Sequence, residues 1–271
     1  MTFFPSACIW NFKDPLLETL VRIKQTAFHH IDVETEVISA EVQRKIGELG
    51  LKVSCVALDH HLPYGSSLGG NPDRIRKGVT YLRQALEKAQ GLGARFAYVA
   101  PCSDMRQIDS YRTALVELAE DAGRKGIKLC IEPVPGKALP GAREVLAFIE
   151  KAGHANLYLL LDTGHALLSR EKPYEVVRAA GIRLGYVQLS DNDGKKDRHW
   201  ALLDGRLKED DLVQMLGALR EIGYEGTLGL ELSGKLPSLM SSLAKNRNLM
   251  MRLQAPVEVK SLQEPELRRK H

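Results

Sequence analysis

The chain has 271 residues, 44% of them apolar and 27% charged, and carries a formal net charge of +4. These are values of an ordinary soluble globular protein, and no apolar run approaches the roughly 18 residues that a membrane span requires. Lys and Arg are scattered along the chain, so no dense basic stripe points to a polyanion, while a small anionic substrate stays compatible.

Taken in order, the apolar runs and stop signals predict strand 6–10, helix 14–27, strand 29–34, helix 39–49, strand 51–58, helix 73–92, strand 95–100 and helix 106–125. Then come strand 127–132, helix 142–153, strand 157–162, helix 173–180, strand 182–190, helix 208–222, strand 227–232 and helix 237–253. Runs such as Tyr158–Asp162 and Leu228–Glu231 are too continuously apolar for strands with one wet face, and suit parallel strands covered on both sides. Gly50, Gly93, Gly126, Gly153, Gly181 and Gly223 each precede a strand, where a helix ending on a left-handed glycine is expected. Eight such units, in a chain close to the about 250 residues typical of the architecture, predict one α/β domain, a single closed (β/α)8 barrel over residues 1–253. Beyond it the period is lost and the sequence turns polar, so residues 254–271 are expected to form a short C-terminal tail.

The first ten residues are apolar but have no basic lead and run directly into Asn11, Lys13 and Asp14. That is poor material for a secretory signal, so a cytoplasmic location is expected. Cys8, Cys55, Cys102 and Cys130 lie in or just after strand-like runs, without the close pairing of a zinc ribbon, and are expected as buried reduced thiols.

Side chains at the C-terminal ends of the strands of such a barrel point into one mouth. Four of the apolar runs end there on a residue able to bind a metal: Glu132, Asp162, Gln188 and Glu231. Singly, three of them have plain structural readings. Glu132 before Pro133 can cap a turn, Asp162 can N-cap the next helix, and Glu231 can pair with a lysine. Together, three carboxylates at one rim repel one another unless a cation or protons neutralise them. One divalent ion does so, and an all-oxygen set of three carboxylates and an amide favours Mn²⁺ or Mg²⁺ over Zn²⁺ or Co²⁺. His165 follows Asp162 by three, and Gly164 is expected to supply the backbone freedom that swings it toward the mouth. A solvent-facing histidine at a helix start is the alternative. Glu34, Asp59, His61, Asp191, Asp193 and Lys195 are further polar rim residues, of which His61 is the favoured hydroxyl binder.

The segments Cys130-Ile131-Glu132-Pro133, Leu161-Asp162-Thr163-Gly164-His165, Val187-Gln188, Asp191-Asn192-Asp193-Gly194, Asp197-Arg198-His199 and Leu230-Glu231 resemble the xylose isomerase-like barrel superfamily. That superfamily comprises sugar isomerases and epimerases and also contains endonuclease IV, and the likeness spans nearly the whole chain. The resemblance implies that Glu132, Asp162, Gln188 and Glu231 hold one divalent metal, that Glu132 and Glu231 double as acid and base, and that His165 looks toward substrate oxygen. Gln188 departs from the many members with histidine there, although hydroxypyruvate isomerase-like and some dehydroshikimate dehydratase-like members are similar in using glutamine. Asp197-Arg198-His199 and His60-His61 resemble further metal ligands of endonuclease IV. Gln188 and the stretch Val99-Ala100-Pro101-Cys102 stand where that enzyme family places histidines, so a full three-zinc cluster, and with it a nucleic-acid partner, is not expected. A loop in which Asp197, His199 and Trp200 close over a sugar is favoured over a second, partial metal site at His165, Asp197 and His199. Trp10 and Phe12 are placed either to floor the pocket under the sugar's apolar face or to pack in the core.

The activity this implies is that of a metal-dependent sugar isomerase or epimerase, moving a proton next to the carbonyl of a small keto or aldo sugar or sugar phosphate through an enediolate. A metal-dependent dehydratase or lyase on a keto-cyclitol or polyol, of inosose or dehydroshikimate type, uses the same site. An AP endonuclease-like nuclease is the third reading, and predicts several zinc ions and salt-sensitive binding of duplex DNA. The expected partner is a small sugar-like molecule, with no membrane involved, and the resemblance allows a homodimer.

Overall fold

A computed structural model of the chain describes residues 2–255. Eight strands pair in parallel in chain order: β1 (Pro5–Cys8), β2 (His30–Glu34), β3 (Lys52–Ala57), β4 (Phe96–Val99), β5 (Lys128–Ile131), β6 (Leu157–Asp162), β7 (Leu184–Leu189) and β8 (Leu228–Leu230). The ring closes where β1 meets β8, with Ser6 opposite Gly229 and Ala7 opposite Leu230. Around it lie α1 (Leu16–Gln25), α2 (Ala40–Glu48), α3 (Pro72–Gly91), α4 (Ile108–Arg124), α5 (Ala142–Ala152), α6 (Thr163–Leu168), α7 (Pro173–Ala180), α8 (Glu209–Glu221) and α9 (Leu239–Gln254).

The continuous apolar runs are explained by two cores. Leu157, Leu159 and Leu161 of β6 join the large layer between strands and helices, whereas Leu160, with Tyr158 packed beside it, belongs to a smaller cluster inside the barrel with Cys55, Ala57, Phe96, Tyr98, Cys130 and Tyr186. Alternate residues thus face two dry surfaces, and each leucine fully withdrawn from water contributes about 1.5–3 kcal/mol. The helices present one face to the outer layer. In α3 Val79, Leu82, Leu86 and Ala89 are buried at helical spacing, while Asn71 accepts the N–H groups of Asp73 and Arg74 and Pro72 opens the first turn.

All six glycines expected before strands have positive φ, from 50° at Gly181 to 73° at Gly93. They stop the helices and turn the chain back to the barrel floor. Three expectations shift. The first strand stops at Cys8, so Trp10 lies in the loop beyond it. Residues 163–168, predicted as a connection, form α6, which at 6 residues is too short for an apolar period to reveal. Gln254 ends α9 instead of starting the tail, and its amide clamps the backbone of Phe3, accepting from the N–H at 2.6 Å and donating to the carbonyl at 3.0 Å. Residues 256–271 of the expected tail lie outside the described residues. The four cysteines are buried and free, and among the described residues no helix is long and apolar enough to cross a membrane.

Candidate active site

Alternation along each strand decides what reaches the mouth. Cys130, Leu160 and Tyr186 point into the barrel, so the residues two further on, Glu132, Asp162 and Gln188, face the same way one layer higher. With Glu231 just past β8 they are 7%, 1%, 0% and 8% exposed respectively. Asp162 caps α6, its Oδ1 accepting from the His165 N–H at 2.8 Å and from the Ser190 hydroxyl at 3.2 Å. Its structural reading and its place at the rim therefore coexist. Glu231 accepts from the Trp10 indole N–H at 3.0 Å, where a lysine was the expected structural partner. Gln188 donates from Nε2 to the sulfur of Cys8 at 3.9 Å, and its Oε1 is buried without a partner. A buried acceptor left unpaired costs about 1–3 kcal/mol, so it invites an explanation.

Two histidines fill in between the carboxylates. His165 is buried, so the solvent-facing reading fails. Its Nδ1 lies 3.1 Å from Glu132 Oε1 and 3.0 Å from the Pro133 carbonyl, and its Nε2 lies 3.2 Å from Asp197 Oδ2. Gly164 places this ring by a different route from the one expected. It lies in α6 without positive φ, and a Cβ there would sit 2.3 Å from Ser190 Oγ, so the position requires the absence of a side chain. His199 is held at a φ of +46°, uncommon for a residue with a side chain. That backbone sets its Nδ1 3.2 Å from the Glu231 carbonyl and its Nε2 3.1 Å from Asp197 Oδ1.

Every partner of these two rings is an acceptor, so each ring nitrogen must carry a proton and both rings are imidazolium ions. Burial lowers the proton affinity of His165, but Asp162, Asp197 and Glu132 outweigh it and push the group up to about 12. Burial likewise opposes His199, and Asp197, Glu231 and Asp162 push it up to about 10. Asp197 is held well below the usual carboxylate range, because the hydrogen bonds and charges of His165 and His199 exceed the opposing effect of burial. Glu231 moves the other way. Burial raises it, the His199 charge opposes, and the Glu132 and Asp162 charges add to the rise, to about 7.

The charges do not balance. Glu132, Asp162, Asp197 and Glu231 are four carboxylates, and His165 and His199 are two cations, which leaves two negative charges over when all four are ionised. That is the charge of one divalent ion. Ligand atoms of Asp162, His199 and Glu231 lie within 4.8 Å of one another, as do those of His165, Asp197 and His199; the carboxylates can take a cation directly, whereas a histidine joins it only by giving up a ring proton. With the unpartnered Gln188 oxygen beside them, the residues fit a hard divalent metal.

The far wall comes from the first four strands. Glu34 Oε2 lies 3.2 Å from His60 Nδ1 and 3.1 Å from His61 Nε2. It is His60, rather than the favoured His61, that turns inward. Its ring is 30% exposed against 50% for His61, lies 3.2 Å from the Tyr98 hydroxyl through Nε2, and meets the Trp10 ring edge-on at 5.3 Å. The sequence signal was Tyr98, an inward residue of β4 whose hydroxyl needs a partner. Asp59 accepts from the Ala100 N–H at 3.0 Å and ties the ends of β3 and β4 together. Asp191 is withdrawn from the expected hydroxyl binders, because its carboxylate accepts from the backbone N–H groups of Asn192, Gly205, Arg206 and Leu207 and organises the loop. Asp193 does similar work for Lys195 and Lys196.

Known proteins resemble this chain in sequence and in fold. The chain is 30% identical over 195 residues to an L-ribulose 3-epimerase of Methylomonas sp., a match covering 66% of this chain and 65% of the epimerase. It is 24% identical over 205 residues to a 3-dehydroshikimate dehydratase of Pseudomonas putida, covering 71% of this chain and 31% of the dehydratase. Among solved structures, the fold matches 3-keto-D-glucoside 4-epimerase of E. coli with a TM-score of 0.77 at 16% identity, over 93% of this chain and 100% of that one. Residues 20–249 match the model of a protein family, and on that match the chain belongs to the xylose isomerase-like TIM barrels.

Proposed function

We propose that the protein is a divalent-metal-dependent epimerase or isomerase of a small keto or aldo sugar, working by proton transfer next to the carbonyl. The observation that carries this reading is the surplus of two negative charges at the rim beside the buried, unpartnered Gln188 oxygen, flanked by Glu132 beyond β5 and Glu231 beyond β8. Glu132, Asp162, Gln188 and Glu231 would hold the ion, and their oxygen donors favour Mn²⁺ or Mg²⁺. When bound, the ion supplies Lewis acidity, which contributes several kcal/mol to stabilising developing negative charge.

The chain's own residues do the rest. Glu231, at the rim beyond β8, is placed to exchange a proton with a substrate carbon. Glu132 sits across β6 and β7 from it and serves the opposite face of the resulting enediolate. Return of the proton to the same carbon inverts that centre; delivery to the neighbouring carbon moves the carbonyl. His165, protonated on both nitrogens, is a donor for a substrate oxygen, and the Trp10 ring offers an apolar face beside Glu231. The similarity to L-ribulose 3-epimerase supports the epimerase reading. That to 3-dehydroshikimate dehydratase supports a second one, in which a β-hydroxyl takes up a proton and leaves the same enediolate as water.

Incubation with Mn²⁺ in heavy water, against a panel of ketoses, inososes and keto acids, separates these outcomes. An epimerase or isomerase returns the sugar with deuterium at carbon and its water content unchanged, while a dehydratase gives an ultraviolet-absorbing enone. Absence of deuterium uptake and of dehydration across the panel defeats the proposal.

A further inference from the structure

Gln188 is the upper end of a buried chain of hydrogen bonds that runs down through the barrel and takes no part in the proton transfers. Its Nε2 donates to Cys8 Sγ at 3.9 Å, and the Cys8 thiol donates to Asp32 Oδ2 at 3.5 Å. Asp32 is fully buried and also accepts from the Ser6 hydroxyl at 2.6 Å and from the Tyr186 hydroxyl at 2.8 and 2.9 Å. Tyr186 lies two residues before Gln188 on β7, and Ser6 two before Cys8 on β1. Gly229 leaves the room. A Cβ on it would stand 2.4 Å from Asp32 Oδ2 and 3.2 Å from Gln188 Cγ.

We propose that Cys8 and Asp32 are positioning residues that hold the Gln188 amide with its carbonyl oxygen toward the metal-binding rim. The inference rests on the metal-dependent reading above. The two ends of a primary amide have nearly the same shape, so packing cannot choose between them; only the polarity of their neighbours can. A thiol has one proton. The Asp32 carboxylate draws that proton toward itself, which turns the sulfur lone pairs toward Gln188 and makes Cys8 an acceptor there. The amide N–H₂ must then face Cys8, and the oxygen is the end left buried without a protein partner, on the strand position paired with Asp162. The reversed amide would set an oxygen against a sulfur lone pair and aim N–H donors at a cation. A sulfur hydrogen bond is weak alone, but here it acts through a ligand, and outer partners of metal ligands typically change metal affinity by about 10–100-fold.

Equilibrium Mn²⁺ binding to the full chain, read from the electron paramagnetic resonance of the free ion, tests this with Cys8→Ala and Cys8→Ser. Asp32→Asn attacks the same relay from below, and each variant is made in the parent and in a Gln188→Glu background. Cys8→Ala and Asp32→Asn are expected to weaken Mn²⁺ binding by about 10-fold or more, while Cys8→Ser, which keeps one donor and one acceptor, stays close to the parent. With Gln188→Glu both terminal atoms are oxygen, so orientation no longer matters and the two losses vanish. A packing defect would persist in that background, and melting of the metal-free variants shows independently whether each is folded. Unchanged binding in Cys8→Ala and Asp32→Asn, or equal losses in both backgrounds, overturns the relay alone. A parent chain that takes up no manganese overturns the metal reading and this inference together.

Discussion

Asp32, deep in the barrel, and Glu231, at its mouth, are buried carboxylates shifted the same way, to about 6 and about 7, yet they are held by opposite means. Burial raises Asp32, and hydrogen bonds from Ser6, Tyr186 and Cys8 oppose the rise. Burial raises Glu231 too, but the main opposition is the His199 charge, the Glu132 and Asp162 charges push further up, and Trp10 adds a single hydrogen bond. The lower barrel satisfies its one carboxylate with neutral donors. The rim sets carboxylates against one another and against two imidazolium ions, and is left with a surplus. Burial is the largest cause of both shifts, so a shifted carboxyl does not by itself mark a site; what sets the rim apart is that unresolved neighbouring charge adds to the shift.

The largest expected effects put that contrast at risk. Glu132→Gln and Glu231→Gln should each slow deuterium exchange into substrate by about 10²–10⁴-fold, the usual contribution of a positioned acid or base. Neither should lower the melting temperature of the metal-free protein, since each removes one of several mutually repelling charges. Asp32→Ala is expected to do the reverse and destabilise the fold by about 4 kcal/mol, because the Ser6 and Tyr186 hydroxyls lose their buried acceptor. Isotope exchange by mass spectrometry and thermal unfolding of the three variants decide the matter. A Glu231→Gln protein that melts as low as Asp32→Ala would make the rim a structural network.

The same contrast explains what could be read from the sequence. Strand order, closure and the glycine stops were legible because two-sided burial leaves continuous apolar runs, as in Leu157–Asp162, and because a chain ending a helix needs positive φ at positions such as Gly153. Glu132, Asp162, Gln188 and Glu231 were legible as strand ends. Their partners were legible only in part: the resemblance grouped His165, Asp197 and His199, but not the contacts among them. That Asp197 links His165 to His199 depends on a loop with a left-handed histidine, and that His60 rather than His61 faces Tyr98 depends on where the turn after β3 directs each ring. Loop conformation has no period to read. Asp32 was hidden for another reason: a lone acid inside an apolar strand is explained only by Ser6, Cys8 and Tyr186, which lie on other strands.

A smaller effect sharpens the comparison through pH. The folded value of Asp32, about 6, lies above its ordinary 3.8, so the folded state holds the proton more tightly than the unfolded chain. Its contribution to stability is fully present below about pH 4 and is lost as pH rises through about 6, a change on the order of 3 kcal/mol. Asp32→Asn cannot titrate. Unfolding free energies of parent and variant, measured from pH 4 to 7 by urea denaturation, should therefore lie close together at pH 4 and separate as pH rises, with the variant the more stable, if Asn keeps the native hydrogen bonds; if it does not, the variant's deficit at pH 4 shrinks as pH rises. A pH-independent difference would mean that Asp32 is not the group responsible.

The smallest effect asks what Trp10 does at the rim. Its indole N–H fixes Glu231 Oε1 at 3.0 Å while its ring lies edge-on to His60. Trp10→Phe keeps an aromatic face and removes the donor, and a hydrogen bond to a charged group contributes about 1.5–3 kcal/mol, so kcat should fall by about 10-fold or somewhat more with KM nearly unchanged. Trp10→Ala removes the face as well, and should raise KM in addition if the ring floors a sugar. Steady-state kinetics on the substrate found by deuterium exchange separate the two roles. If Trp10→Phe matches the parent in both constants, Glu231 is oriented by its neighbours at the rim without help from the loop after β1, and the indole is packing.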